Sequence, residues 1–121
     1  MIAEQALHNF WSGFGLRAYD ENRVPDEAVL PYITYSVSID SFGNEVSLTA
    51  SLWYKSLSWV DITNVTHEIS KAIGYSGKTL KTDGGYLWLK RGQPFAQRMG
   101  DDDKSIRRMY INITAEYFSE N

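Results

Sequence analysis

Two hydrophobic periodicities alternate along this chain, and the switches between them mark out its elements. At the start, Ala3, Leu7, Phe10 and Phe14 recur at spacings of four, three and four. That is one face of an amphipathic helix, and Gly13 and Gly15 weaken its last turn. Residues 17–31 carry the charged cluster Asp20-Glu21-Asn22-Arg23 together with Pro25 and Pro31, which predicts an extended connector. The period then drops to two. Ile33, Tyr35, Val37 and Ile39 alternate with Thr34, Ser36 and Ser38, and after a turn at Ser41-Phe42-Gly43-Asn44 the alternation resumes. In this second run Val46, Leu48, Ala50, Leu52 and Tyr54 face one way, and Ser47, Thr49, Ser51, Trp53 and Lys55 the other. Two alternating runs around a short turn predict a β-hairpin.

Helical spacing returns with Ile62, Val65, Ile69 and Ile73. Ser58 and Asp61 have the spacing of a capping box, and Gly74 is placed as a stop. A strand from about Thr79 to Arg91 follows, interrupted at Asp83-Gly84-Gly85 by either a tight turn or a bulge. The Pro-containing run Gly92-Gln93-Pro94-Phe95-Ala96-Gln97-Arg98-Met99 leads to an acidic tip, Asp101-Asp102-Asp103. Beyond the tip, Ile106 to Tyr117 puts Met109, Ile111, Ile113, Ala115 and Tyr117 on one face. The order α-β-β-α-β-β predicts one α+β domain over 1–121: an antiparallel or mixed four-stranded sheet with two helices on one face.

The solvent side of that sheet changes the picture more than its core does. Thr34, Ser36, Ser38, Ser47, Thr49 and Ser51 make an ordinary wet surface. Trp53 and Tyr110 share that side with Arg108, Asn112, Thr114 and Glu116. Two large aromatics there either form a binding patch or lie beneath a loop.

Catalytic chemistry has little to build on. The chain has no cysteine, which excludes disulfides, thiol catalysis and Cys-ligated metal. Gly77-Lys78-Thr79 resembles the end of a P-loop, but Ala72 stands where its first glycine belongs and the residues follow a helix instead of opening one. His67-Glu68 begins like a zinc-protease helix, yet Lys71 occupies the second histidine position. Three consecutive carboxylates lack the alternate spacing of a calcium loop, so Asp101–Asp103 reads as a solvated tip. The sequons at Asn64 and Asn112 fall in a predicted helix and strand. No catalytic residue, cofactor or metal is expected.

Charge and length narrow the partners. The net charge is −3; residues 1–60 hold three basic and seven acidic side chains, against nine and eight in residues 61–121. Neither half has the basic excess of a nucleic-acid binder, so no sequence-specific nucleic-acid partner is expected. No signal peptide is legible, and no apolar run reaches the ~20 residues that span a membrane.

The assembled pattern resembles the tail terminator (tail completion) proteins of long-tailed bacteriophages. The residues that carry the likeness are Val24-Pro25 and Leu30-Pro31-Tyr32-Ile33-Thr34-Tyr35, the hairpin after them and the Ser58–Gly74 helix. Gln93-Pro94-Phe95-Ala96-Gln97, the acidic tip and Arg108-Met109-Tyr110-Ile111-Asn112-Ile113 complete it. The element order covers nearly the whole chain, on apolar alternation and turn residues.

That resemblance implies a small, non-enzymatic α/β subunit of a phage or prophage virion, assembled in the bacterial cytoplasm. Such subunits form a ring, typically a hexamer, on the head-proximal end of the tail tube. The ring ends tube growth and offers a surface to the head–tail connector. Its partners would be itself, the tail tube protein and the connector protein. A ring contact is heterologous and closes on itself. Trp53 and Tyr110 are then the subunit-contact candidates, and Asp101, Asp102 and Asp103 a lumen- or tube-facing loop whose charge keeps passing DNA from sticking. The alternatives are a head–tail joining protein of the neck, or a small-ligand-binding α+β domain with its pocket between helices and sheet.

Overall fold

In the computed structural model, residues 1–38 and 44–120 are described. The elements are α1 (Ala3–Trp11), β1 (Arg17–Asp20), β2 (Tyr32–Tyr35), β3 (Val46–Lys55), α2 (Val60–Ile73), β4 (Lys78–Thr82), β5 (Gly85–Met99) and β6 (Ile106–Ser119), with a 3₁₀ turn at Ser12–Phe14 extending α1. The sheet is six-stranded, in the order β1-β2-β3-β6-β5-β4. The four-stranded α-β-β-α-β-β expectation is therefore wrong on strand number and order.

Two local causes account for the difference. Residues 17–20 are a strand and not connector: Arg17 pairs with Tyr32 and Asp20 with Tyr35, in parallel. Parallel pairing requires the chain to travel back before β2 begins, and residues 21–31 make that return. The turn that starts it is local, with the Asn22 amide donating to Asp20 Oδ1 at 3.0 Å and the Arg23 amide to the Asp20 carbonyl at 2.8 Å. Further on, Asp83-Gly84 is a tight turn that splits the expected Thr79–Arg91 strand, because Thr82 pairs with Gly85 across it. Gly84 sits at φ +74°, the left-handed conformation that the third position of a type II turn requires.

The Pro-containing run continues β5 instead of leading up to it. Its pairing with β6 breaks between Arg91 and Ala96 and resumes three residues out of register. Pro94 falls in this bulge, where a residue without an N–H leaves no ladder bond unmade. The Asn112 side-chain amide donates to the Pro94 carbonyl at 3.1 Å and holds the bulge against β6.

The hairpin of β2 and β3 stands, with Tyr32 opposite Trp53 and Tyr35 opposite Ala50. Past Tyr35 the Ser36 amide still donates to the Thr49 carbonyl at 2.8 Å, while Ser36 Oγ accepts the Thr49 amide at 2.9 Å. The expected strand end at Ile39 and the turn residues Ser41, Phe42 and Gly43 lie outside the described residues. Helix α2 stops at Gly74 as anticipated, but no capping box opens it. Ser58 Oγ instead accepts the Val60 amide, two residues on, at 3.1 Å.

Both helices cover one face of the sheet. Leu7, Phe10 and Trp11 of α1 and Ile62, Ile69 and Ile73 of α2 share one core with the inward residues of β3, β5 and β6. Burial of each such aliphatic side chain stabilises the fold by about 1.5–3 kcal/mol. Among the described residues no helix packs on the opposite face of the sheet, and the candidate site lies there.

Candidate functional site

Alternation decides which side chains meet on this outer face. In an antiparallel ladder, residues directly opposite each other share a face. Trp53 lies opposite Arg108, and Ser51 opposite Tyr110. The two predicted aromatics thus stand on one face, one rung apart on neighbouring strands, with Arg108 between them. Its guanidinium lies 4.5 Å from the Trp53 ring centroid and 5.6 Å from that of Tyr110. Arg108 Nε donates to Ser51 Oγ at 3.0 Å, and Trp53 Nε1 donates to Thr34 Oγ1 at 2.9 Å.

These contacts explain an oddity of the wet face. Ser51 is only 4% exposed and Thr34 9%, although both point away from the helices. The large side chains beside them lie flat over the hydroxyls and take them as hydrogen-bond partners. Trp53, Arg108 and Tyr110 therefore form a ledge anchored through Trp53 and Arg108, with each member half-buried. Toward the sheet edge the ledge continues through Tyr32, which opposes Trp53, to Tyr19, whose ring meets Tyr32 edge-on at 5.6 Å. A rigid aromatic and arginine surface of this kind is the usual make-up of a protein-binding hot spot.

The three aspartates sit elsewhere, on the loop from β5 to β6, exposed to solvent. Their carboxylates build the loop. Asp101 Oδ1 accepts the Asp103 amide at 2.9 Å, and Asp103 Oδ1 accepts the Ser105 amide at 2.8 Å and the Ser105 hydroxyl at 2.6 Å. The Ser105 bonds hold the Asp103 carboxyl below its ordinary pKa. Among the described residues no group of three His, Asp or Glu side chains converges to hold a metal ion.

No family model and no curated protein sequence matches the chain. Among solved structures, it is similar to a chain of the "Virion of native gene transfer agent (GTA) particle", with a TM-score of 0.58 and 17% identity over 94% of this chain and 90% of that one. The two chains share a fold. The likeness runs through the whole domain and does not rest on one hairpin.

A second aromatic cluster was not anticipated. Tyr86 and Phe118 stack at 5.2 Å, Trp88 tilts against Phe118 at 6.4 Å, and Lys90 lies 4.5 Å over the Trp88 ring. Lys90 also pairs with Glu45 at 3.0 Å. The signal was in the sequence, since Tyr86, Trp88 and Lys90 follow the two-residue period of a strand face. Gly77-Lys78 is the entry to β4, His67 and Glu68 are exposed on α2, and His8 bonds the buried Tyr35 hydroxyl at 2.9 Å. An open groove of about 500 Å³ lies between α1 and β4, lined by Phe10, Phe14 and Leu80 with Lys78 and Lys81 at its side.

Proposed function

We propose that this chain is a structural subunit of a phage-like virion and, within that class, a tail terminator. It would assemble as a ring on the head-proximal end of the tail tube, stop tube growth and present a surface to the head–tail connector. The observation that carries this reading is the fold shared with a virion chain across nearly the full length of both chains. The outer face supports it: the Trp53–Arg108–Tyr110 ledge has the make-up of a protein contact, and among the described residues no helix covers it. Trp53 and Tyr110 are its subunit-contact residues. Asp101, Asp102 and Asp103, exposed on a loop they brace themselves, are its lumen- or tube-facing charges. The role is structural and non-enzymatic, and its place is the neck of a virion assembled in a bacterial cytoplasm.

Electron microscopy of particles made without this gene is the test. Tails of uncontrolled length are the expected result. Normal-length tails lying apart from filled heads would move the chain to the head–tail joining class, and intact virions would overturn both.

A further inference from the structure

A subunit that closes into a ring needs two unlike surfaces that fit each other, and the sheet supplies them at its two edges. Strands β1 and β4 each pair on one side only. An unpaired strand side offers backbone groups to another strand; here connector residues 25–29 lie beside β1, and an open groove walled by α1 runs along β4. Residues 17–31, from β1 through the return connector, hold two arginines and four carboxylates: Asp20, Glu21, Asp26 and Glu27. Residues 74–82, the loop into β4 and the strand itself, hold Lys78 and Lys81 and no acid, and Lys81 is ion-paired with Glu120. The β1 side is acidic, and Lys78 is the β4-edge cation with no ion pair among the described residues. Each edge also shows one exposed apolar side chain, Val29 at 79% on the connector beside β1 and Tyr75 at 101% before β4.

Strand direction allows the two edges to meet under rotation. β1 runs parallel to β2, while β2–β3, β3–β6, β6–β5 and β5–β4 are all antiparallel. Counted across the sheet, β1 and β4 therefore point the same way. A rotation about an axis along the strands preserves direction, so β4 of one copy reaches β1 of the next as a parallel strand.

We propose that the occupant of the β1 edge is the β4 edge of a second copy of this chain. The contact is heterologous, joined by Lys78 against the carboxylates of the β1 side and by Tyr75 beside Val29. It rests on the ring reading above and names the surfaces that close the ring. Lysines on an edge strand ordinarily keep like edges apart. Here they block β4 from pairing with β4 and leave the acidic edge as its complement, so one feature excludes the wrong partner and selects the right one. The aromatic row from Tyr19 through Tyr32 to Trp53 begins at the same β1 edge, and it extends the contact inward across the outer face.

The absence of cysteine permits a direct test. Virions assembled in producing cells from the Val29→Cys/Tyr75→Cys chain are treated with a short bis-maleimide and run on a denaturing gel. A ladder up to the full ring is expected from the double variant. Either single variant should stay monomeric, because a heterologous contact never brings two copies of one residue together. Ring density at the neck without a ladder, or dimers from a single variant, would overturn the edge contact and leave the ring reading intact. Virions with no such ring would overturn both. As a second measurement, Lys78→Glu should lower the fraction of ring-bearing virions about tenfold, and Glu27→Lys in the same chain should recover it. No loss with Lys78→Glu would also overturn the contact.

Discussion

Replacing Arg108 by alanine should cost this protein more than its half-exposed position suggests. The guanidinium stacks on Trp53 at 4.5 Å and on Tyr110 at 5.6 Å. Such contacts are each worth about 0.5–1 kcal/mol at partly exposed sites. Its Nε bond to Ser51 Oγ, at 3.0 Å, has a charged donor and a gross worth of about 1.5–3 kcal/mol. The gross figure overstates the loss, since water can reach Ser51 once the side chain is gone, and roughly 1 kcal/mol remains from that bond. The sum is about 2–3 kcal/mol, which for a domain of this length lowers Tm by roughly 10 °C. Thermal and urea unfolding followed by far-UV circular dichroism would measure it. Combined with Trp53→Ala in a double-mutant cycle, the coupling should be about 0.5–1 kcal/mol. Arg108→Lys keeps the charge but lacks the planar stack and the Nε donor, so it should recover less than half of the loss. A Tm change under about 2 °C, or a coupling within the ~0.3 kcal/mol error of such cycles, would refute the ledge as a fixed unit.

Two further perturbations separate backbone and charge effects. At Gly77, φ is +92°, and a Cβ would stand 2.4 Å from Trp88 Nε1 and 2.7 Å from the Leu89 carbonyl. Gly77→Ala should destabilise the fold by about 3 kcal/mol and alter Trp88 fluorescence, whereas unchanged stability would show that the β4 entry tolerates strain it has no room for. Asp103 should titrate below its ordinary value of 3.8 by carboxyl NMR, and Ser105→Ala should move it back up. Because the folded pKa is depressed, its contribution is present above the unfolded value and is lost as pH falls through the folded one. A titration unchanged by Ser105→Ala would remove the Ser105 bonds as the cause.

What the sequence disclosed depended on how much of an element's information is local. β6 was legible from its alternation alone: Met109, Ile111, Ile113 and Ala115 are each 5% exposed or less. The stripe of α2 was equally plain. β1 was not, because Ala18 is the one buried residue among its four and so shows no period. Its evidence is the parallel rung with β2, which exists only once residues 21–31 have folded back. The bulge at 92–95 was hidden for a similar reason, since register belongs to two strands and cannot be read from one. Trp53 and Tyr110 could be placed on one face by counting. The insertion of Arg108 between them required the pairing of Trp53 with Arg108 and of Ser51 with Tyr110.

The same distinction bears on how the ring would close. Edges of four and five residues make few ladder bonds, and the apolar side chains that accompany them are single exposed residues. One such contact holds two copies weakly, because association must first offset the loss of translational and rotational freedom. Closure changes the balance. The last contact of a ring joins two ends already held near each other, so it forms at high effective concentration with no further loss of that freedom. A tube end that gathers subunits on a common platform supplies the same advantage to every contact. Under the ring reading proposed above, weak, charge-matched edges would suit a subunit kept dispersed until a tube reaches it. Stronger apolar edges would assemble rings, or open fibres, wherever the chain was made. In the proposed contact Lys78 and the carboxylates beside β1 would set this balance, and their attraction would weaken with salt.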